Sequence, residues 1–341
     1  MTEIRARGLP GGWGVAMLAV LVGSLLLGLA IGPVSTGIWP IASSALSHLG
    51  LGIHSRLGAT DSDIVWQLRA PRVVLAALVG GMLAIAGSAY QGSFRNPLVD
   101  PYLLGTAAGA GLGATLAITE SLPSGLLPVA AFVGASVAVA LAYVLGRTVG
   151  GVHSTATLIL AGVTVTAFMT AVQTFVQQRH QATLQEVYSF ILGGFSSATW
   201  HDVWISAPYI GASSVVILLH RRVLDVLSLG DEEASSLGID VRRTRLIIVV
   251  AATVGTAAAV SVSGLIAFVG IIVPHTVRLL VSTSYRAIVP LALVLGGAFL
   301  VLTDILARTI MSPAELPIGV VTAFFGAPFF AVVLRTTRRL G

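Results

Sequence analysis

Leu219-His-Arg-Arg-Val-Leu-Asp-Val-Leu-Ser-Leu-Gly-Asp-Glu-Glu-Ala-Ser-Ser-Leu-Gly-Ile-Asp-Val-Arg-Arg-Thr-Arg245 is the one substantial charged island in a chain whose other long stretches are apolar. Asp231 is a candidate N-cap, with Glu232 and Glu233 in the first turn, where the helix dipole favours anions. Gly238 stands where a left-handed residue ends a helix, so two turns result. Asp240 is placed to cap a second helix that runs through Arg242, Arg243 and Arg245 into the next apolar run. The island, about residues 221–245, reads as a polar helical elbow between membrane-embedded segments. Such an elbow has no lipid-facing role; it is either a docking surface for a soluble partner or a solvated loop.

The 341 residues are 55% hydrophobic and 10% charged, with a mean hydropathy of +0.94, whereas soluble domains carry roughly 25% charged residues. This is the composition of an integral membrane protein whose environment is the lipid bilayer, and it does not suit a nucleic-acid partner. The apolar runs are about 20 residues long without strict alternation, which favours helices over a barrel. The first run, Trp13 to Ile31, follows Arg5 and Arg7 without a small-residue cleavage site and reads as a retained helix. Cysteine is absent, which excludes disulfide and thiol chemistry. All 19 basic residues are arginine, so a lysine-dependent phosphate loop is excluded.

Ten apolar runs lie at about 13–31, 71–92, 102–119, 126–146, 155–177, 202–220, 244–262, 264–282, 288–310 and 317–335. With a cytoplasmic N-terminus and one crossing per run, arginines 5, 7, 95, 147, 221, 222, 242, 243, 245, 278, 286, 335, 338 and 339 fall inside, and 56, 69, 72, 179 and 308 outside. Fourteen against five is the asymmetry of the positive-inside rule, and it places both termini and the elbow in the cytoplasm. The expected fold is a single all-α membrane domain, 1–341, of about ten transmembrane helices.

Between the first two spans, residues 31–63 read as an outer loop with at most a short surface helix; two histidines there, His48 and His54, are too few for a metal site. Gly105, Gly109 and Gly113 recur every four residues, a face suited to close helix packing within the bundle or at a dimer seam. Pro274 inside its run predicts a kink or a free carbonyl. The Phe94-Arg-Asn-Pro-Leu-Val-Asp-Pro101 stretch, with two prolines, reads as a stiff turn suited to a gate. Asp304 is the main intramembrane acid, with Arg308 one turn later, which leaves a paired structural role or a proton relay. No catalytic constellation is present, and no metal-ligand spacing.

Several stretches together resemble the type II ATP-binding-cassette importer permeases (the FecCD and BtuC-like family) that carry iron-siderophores, haem or vitamin B12. They are Arg69-Ala-Pro-Arg72; Gln91-Gly-Ser-Phe-Arg-Asn-Pro-Leu-Val-Asp-Pro-Tyr-Leu-Leu-Gly105; Leu160-Ala-Gly162; Leu229 to Val241; Gly264-Leu-Ile-Ala-Phe-Val-Gly-Ile-Ile-Val-Pro-His275 with Arg278; and Ala314-Glu-Leu-Pro-Ile-Gly-Val-Val-Thr322 with Gly326-Ala-Pro328. They cover the chain in order from about residue 64 to its end.

The resemblance implies a permease of ten spans in the bacterial inner membrane, paired with a second copy or a related permease. Two cytoplasmic ATPase subunits, which hold the ATP and Mg, are implied to grip the elbow through Leu229, Gly230, Asp231, Glu232, Glu233, Ala234, Leu237, Gly238 and Val241. The chain itself is implied to bind no cofactor. Asn96, Pro97 and Leu98 with Thr155 and Ala156 are implied to form the inner gate; Ala156 stands where serine is usual, and Val99 where alanine is usual. Arg69, Arg72 and Arg308 are implied to dock an extracytoplasmic binding protein at an accessible rim, with interfacial snorkelling as the alternative. Gln173 and Gln177, one turn apart, line either the translocation path or a helix–helix contact. Cargo release requires weak contacts, so the path is expected to be largely apolar. Siderophore iron is the first choice of cargo, ahead of cobalamin and haem. The competing reading is an ion- or proton-coupled secondary carrier, which would want unpaired mid-membrane acids and inverted repeats.

Overall fold

The computed structural model describes residues 11–32, 37–48, 57–150 and 155–337. In chain order, α1 (Gly11–Ala30) is followed by the short α2 (Ile38–His48) and α3 (Ala59–Asp63), then α4 (Ala70–Phe94), α5 (Thr106–Thr119), α6 (Leu127–Gly150) and α7 (Thr155–Arg179). The short α8 (Leu184–Leu192) precedes α9 (Trp200–Leu227), the elbow helix α10 (Asp231–Ser236), α11 (Val241–Ser263), α12 (Val269–Leu280), α13 (Tyr285–Thr309) and α14 (Ile318–Thr337). Seven of these helices are long and apolar enough to cross a membrane, and the apolar parts of α5, α12 and α14 are shorter. Together they correspond to the ten runs. The 31–63 stretch holds more structure than expected. Within it α2 runs for 11 residues, and Ser44 on that helix accepts a hydrogen bond from Trp66 Nε1 at 3.0 Å.

The bundle is built around α4, whose residues 79–94 are all buried. Glycine, alanine or serine occurs in every turn of that stretch, so neighbouring backbones close onto it: Gly80 lies against Gly296 of α13, and Gly87 against Gly270 of α12. The α5–α6 seam uses the same device. Gly109 faces Gly134, and Gly113 faces Ala130, so the glycine face belongs to packing inside the bundle. Gly105 is the left-handed residue, φ +85°, that precedes α5, and it lies against Val165 and Thr166 of α7 as well as Ala138 of α6.

Two helices are too short to cross. At 1.5 Å per residue, the 14 residues of α5 and the 12 of α12 reach roughly 21 and 18 Å of a core about 30 Å thick. The remaining height is covered by non-helical backbone at 99–105 and 264–268, which is tolerated at membrane depth only inside protein. The two segments satisfy each other: Tyr102 Oη donates to the Ile266 carbonyl at 3.0 Å and accepts from the Ile266 N–H at 3.0 Å. Pro274 has no N–H, so the Gly270 carbonyl one turn earlier lacks its helical donor. Gln91 Nε2 supplies it at 2.8 Å and also donates to the Val99 carbonyl at 3.2 Å.

Replacing Gly109 by alanine puts a methyl group against the Gly134 carbonyl. Gly109→Ala is expected to destabilise the bundle by about 2 kcal/mol, measured as a lowered unfolding temperature in detergent. Gly125→Ala, with open space around it, is the control and leaves that temperature unchanged.

Candidate functional site: the elbow and the loop beneath it

The elbow folds nearly as its sequence demands. At its C-terminal end Gly238 has φ +81°, its N–H donates to the Ser235 carbonyl at 2.9 Å, and the Ile239 N–H donates to the Ala234 carbonyl at 3.1 Å. This pair of bonds is a Schellman cap. Asp240 caps α11 by accepting from the Arg243 N–H at 2.9 Å. At the N-terminal end one expectation is corrected: the cap position belongs to Gly230, at a positive φ of 152° that favours glycine, and Asp231 is the first helical residue. The Asp231 carboxylate is turned elsewhere because Arg245 takes it in two hydrogen bonds, at 2.7 and 3.2 Å, with Arg95 at 3.7 Å. Ala234 is fully buried under the elbow, while Leu229 and Leu237 are each 65% exposed and Glu232 and Glu233 lie open beside them. Val241 is half-buried where α11 begins. At the end of α9, Asp225 accepts from Ser284 Oγ at 2.7 Å and from the Tyr285 N–H, which ties α9 to the start of α13.

The loop after α4 lies against this elbow. Arg95 takes the left-handed conformation, φ 52°, and the Asn96 N–H closes back on the Gln91 carbonyl. Asn96 Oδ1 accepts from the Leu98 N–H at 3.0 Å, an Asx turn, and Asp100 Oδ1 accepts from the Tyr102 N–H at 2.9 Å. The turn is therefore stiff, with Pro97 and Leu98 exposed at its tip and Asn96 half-buried. Thr155 and Ala156 open α7; their side chains are outside the described residues. Arg245 Nε donates to the Ser93 carbonyl at 3.1 Å, so one guanidinium holds both the elbow and the end of α4. Sequence inspection placed Arg245 in α11 without this role, because its acceptor is a backbone carbonyl 152 residues away.

At the opposite end of the bundle the three arginines read as docking residues do not form an accessible rim. Arg69 and Arg308 are 5% and 7% exposed, and Arg72 shows 11% of its side chain. Helix α1 ends there and leaves carbonyls without helical donors. Arg69 Nη1 donates to the Leu29 and Ala30 carbonyls at 2.9 and 3.3 Å, and Arg308 Nη2 donates to the Gly28 carbonyl at 2.6 Å. Arg72 binds Asp304 at 2.8 Å and Glu315 at 2.9 Å. Asp304 thus has Arg72 as its close partner, with the expected Arg308 at 3.6 Å. Of this group Glu315 is the one substantially open to solvent, at 39%. Gln173 is buried between α7 and α5, where Nε2 donates to Thr115 Oγ1 at 3.2 Å, which is a helix–helix contact; Gln177 is half-buried one turn on. Among the described residues no three His, Cys, Asp or Glu converge as metal ligands.

The model of the FecCD transport family matches residues 19–336. The chain belongs to the FecCD transport family. It is 37% identical to the cobalamin import system permease protein BtuC of Halobacterium salinarum, over 98% of each chain. It is 36% identical to the hemin transport system permease protein HmuU of Yersinia pestis, over 86% of this chain and 90% of that one. A solved structure described as an inward-facing conformation of a metal-chelate type ABC transporter superposes with a TM-score of 0.85 at 27% identity, covering 96% of this chain and 99% of that one. In this FecCD chain, the elbow and the 95–105 loop occupy one end of the bundle and the arginine cluster the other.

Removing the charge of Asp304 leaves the Arg72 and Arg308 guanidiniums facing each other with one neutral acceptor between them. Asp304→Asn is therefore expected to cost about 3 kcal/mol, read as an unfolding temperature lowered well beyond that of Glu315→Gln. An unchanged unfolding temperature would show that the cluster does not hold the far end of the bundle together.

Proposed function

We propose that this chain is the permease subunit of an ATP-driven importer, moving an iron chelate such as a ferric siderophore into the cytoplasm by alternating access, with haem and cobalamin as the alternative cargoes. The observation that carries the reading is the elbow. Two leucines, each 65% exposed, stand beside acidic residues on a rigidly capped helix outside the apolar spans, a surface left unsatisfied until a soluble partner covers it. The partner is a pair of cytoplasmic ATPase subunits that bring the ATP and Mg; this chain, lacking lysine, contributes no phosphate loop. The arginine asymmetry puts the elbow and both termini inside. Names of relatives support the cargo class, since one is a cobalamin permease and another a hemin permease.

A second permease copy covers α7 and α14, which present Leu160, Phe168, Phe324 and Phe325 at 50% exposure or more. The cargo path runs between the copies, and Asn96, Pro97 and Leu98 with Thr155 and Ala156 close its inner mouth. An extracytoplasmic binding protein docks at the other end, where Glu315, backed by Arg72, is what the cluster offers to a partner; Arg69 and Arg308 act behind it by holding α1 in place. A proton-coupled carrier is disfavoured because Asp304 is bound by two arginines.

Reconstitution tests the proposal. The permease and a partner ATPase are placed in liposomes, and uptake of labelled ferric siderophore, haem and cobalamin is followed with and without ATP. The chain alone is expected to hydrolyse no ATP, and uptake to require both subunits. Gly238→Val forces a β-branched residue into a left-handed backbone. It is expected to abolish co-purification of the ATPase while membrane insertion stays normal. Turnover by the isolated chain, or intact transport in Gly238→Val, would overturn the reading.

A further inference from the structure

We propose that Arg245 is the positioning residue that carries movement of the elbow into the loop after α4, an inference that rests on the importer reading. Its guanidinium joins three elements. It sits one turn into α11, it grips the first residue of α10 through two bonds to Asp231 at 2.7 and 3.2 Å, and its Nε donates to the Ser93 carbonyl at 3.1 Å. Ser93 lies in the last turn of α4, two residues before the left-handed Arg95 that starts the Asn96-Pro97-Leu98 turn. Its carbonyl is one that the helix end leaves without a helical donor, so Arg245 satisfies it where water has little access: the arginine side chain is 14% exposed. A planar fork bound on both edges fixes angles as well as distances, which makes the link stiff.

Toward α6 and α7 the elbow is loosely supported. A pocket of about 310 Å³ lies between it and those helices, lined by Tyr143, Leu158, Ile239 and Leu246 and bordered by Asp231 and Arg245 of the strut itself. A push on α10 therefore has room to move it toward α7, and the Arg245 strut takes the end of α4 and the following turn along. A lysine at 245 keeps the charge and loses the fork.

The test uses the complete transporter with its ATPase. The chain contains no cysteine, so Leu98→Cys in the turn and Ser236→Cys on the exposed face of the elbow are single labelling sites. In the otherwise unaltered chain, docked ATPase protects Ser236→Cys from maleimide, and ATP changes the labelling rate of Leu98→Cys. In Arg245→Lys, protection at 236 is expected to persist while the ATP response at 98 disappears. Uptake per ATP hydrolysed is expected to fall about tenfold, the factor that follows from losing one charge-assisted hydrogen bond. Asp231→Asn, which loosens the strut from the elbow side, is expected to do the same. An unaltered response at 98 and unaltered uptake per ATP in either variant would overturn the proposal. So would loss of protection at 236, since Arg245 would then be shaping the docking surface. Absence of protection and of uptake in the unaltered chain would instead overturn the importer reading, and this proposal with it.

Discussion

In a bilayer core there is no water to complete a backbone, and the carboxamide of Gln91 shows how much of this architecture follows from that constraint. A proline in α12 frees one carbonyl and the climb of residues 99–105 frees another, and one buried side chain on the central helix donates to both. Tyr102 completes the junction by donating to and accepting from the same residue, Ile266. Two interrupted spans are thereby fastened to the last turn of α4. Because α4 is lined with glycine and alanine, its neighbours approach close enough for these short side chains to reach. The small residues and the polar ones are thus parts of one solution.

Charge is used in opposite ways at the two ends of the bundle. At the far end, three arginines face two carboxylates and the last carbonyls of α1, and nearly all of it is buried. Buried pairs of this kind add little net stability when formed but are costly to break, so they fix geometry. At the elbow end the ion pairs are looser and partly wet: Arg95 and Arg286 stand at 3.7 and 3.5 Å from their carboxylates, Asp231 is 33% exposed, and its acidic neighbours are open. Charges at such a surface mainly orient an incoming partner and set its rate of approach. One end is buried and fixed, and the other is left open to solvent.

The spans and the elbow were legible in the sequence because each is decided locally. Apolar run length finds the helices, and Gly238 and Asp240 mark ends that depend on residues within one turn. The burial of the arginine cluster was not legible, for the opposite reason. Arg69 and Arg72 lie at a span end, where sequence alone cannot separate a rim from an interior; what buries them is the end of α1, some 40 residues earlier, and Asp304, 232 residues later. Asp231 was misplaced by one position because a tertiary partner, Arg245, outcompeted the local backbone for its carboxylate. Gln173 illustrates the same limit: a polar residue in an apolar span must find a partner, and nothing in its own helix says whether that partner is a neighbouring threonine or a passing cargo.

Stiffness is distributed in a way that suits rigid-body rocking. The turn after α4 is locked by its own hydrogen bonds, by Pro97 and by the Asx turn at Asn96, so it moves as a unit. The elbow helix is locked by the Schellman cap and is likewise a unit. Compliance is left between them and the rest of the chain: a pocket between the elbow and α6 and α7, bordered by the Arg245 guanidinium that is hydrogen-bonded to both pieces. Two rigid pieces joined by a directional link transmit displacement, whereas a uniformly soft region would absorb it. Work done at the elbow by a nucleotide-driven partner would therefore arrive at the turn as motion, without any part of the apolar path having to bind cargo tightly.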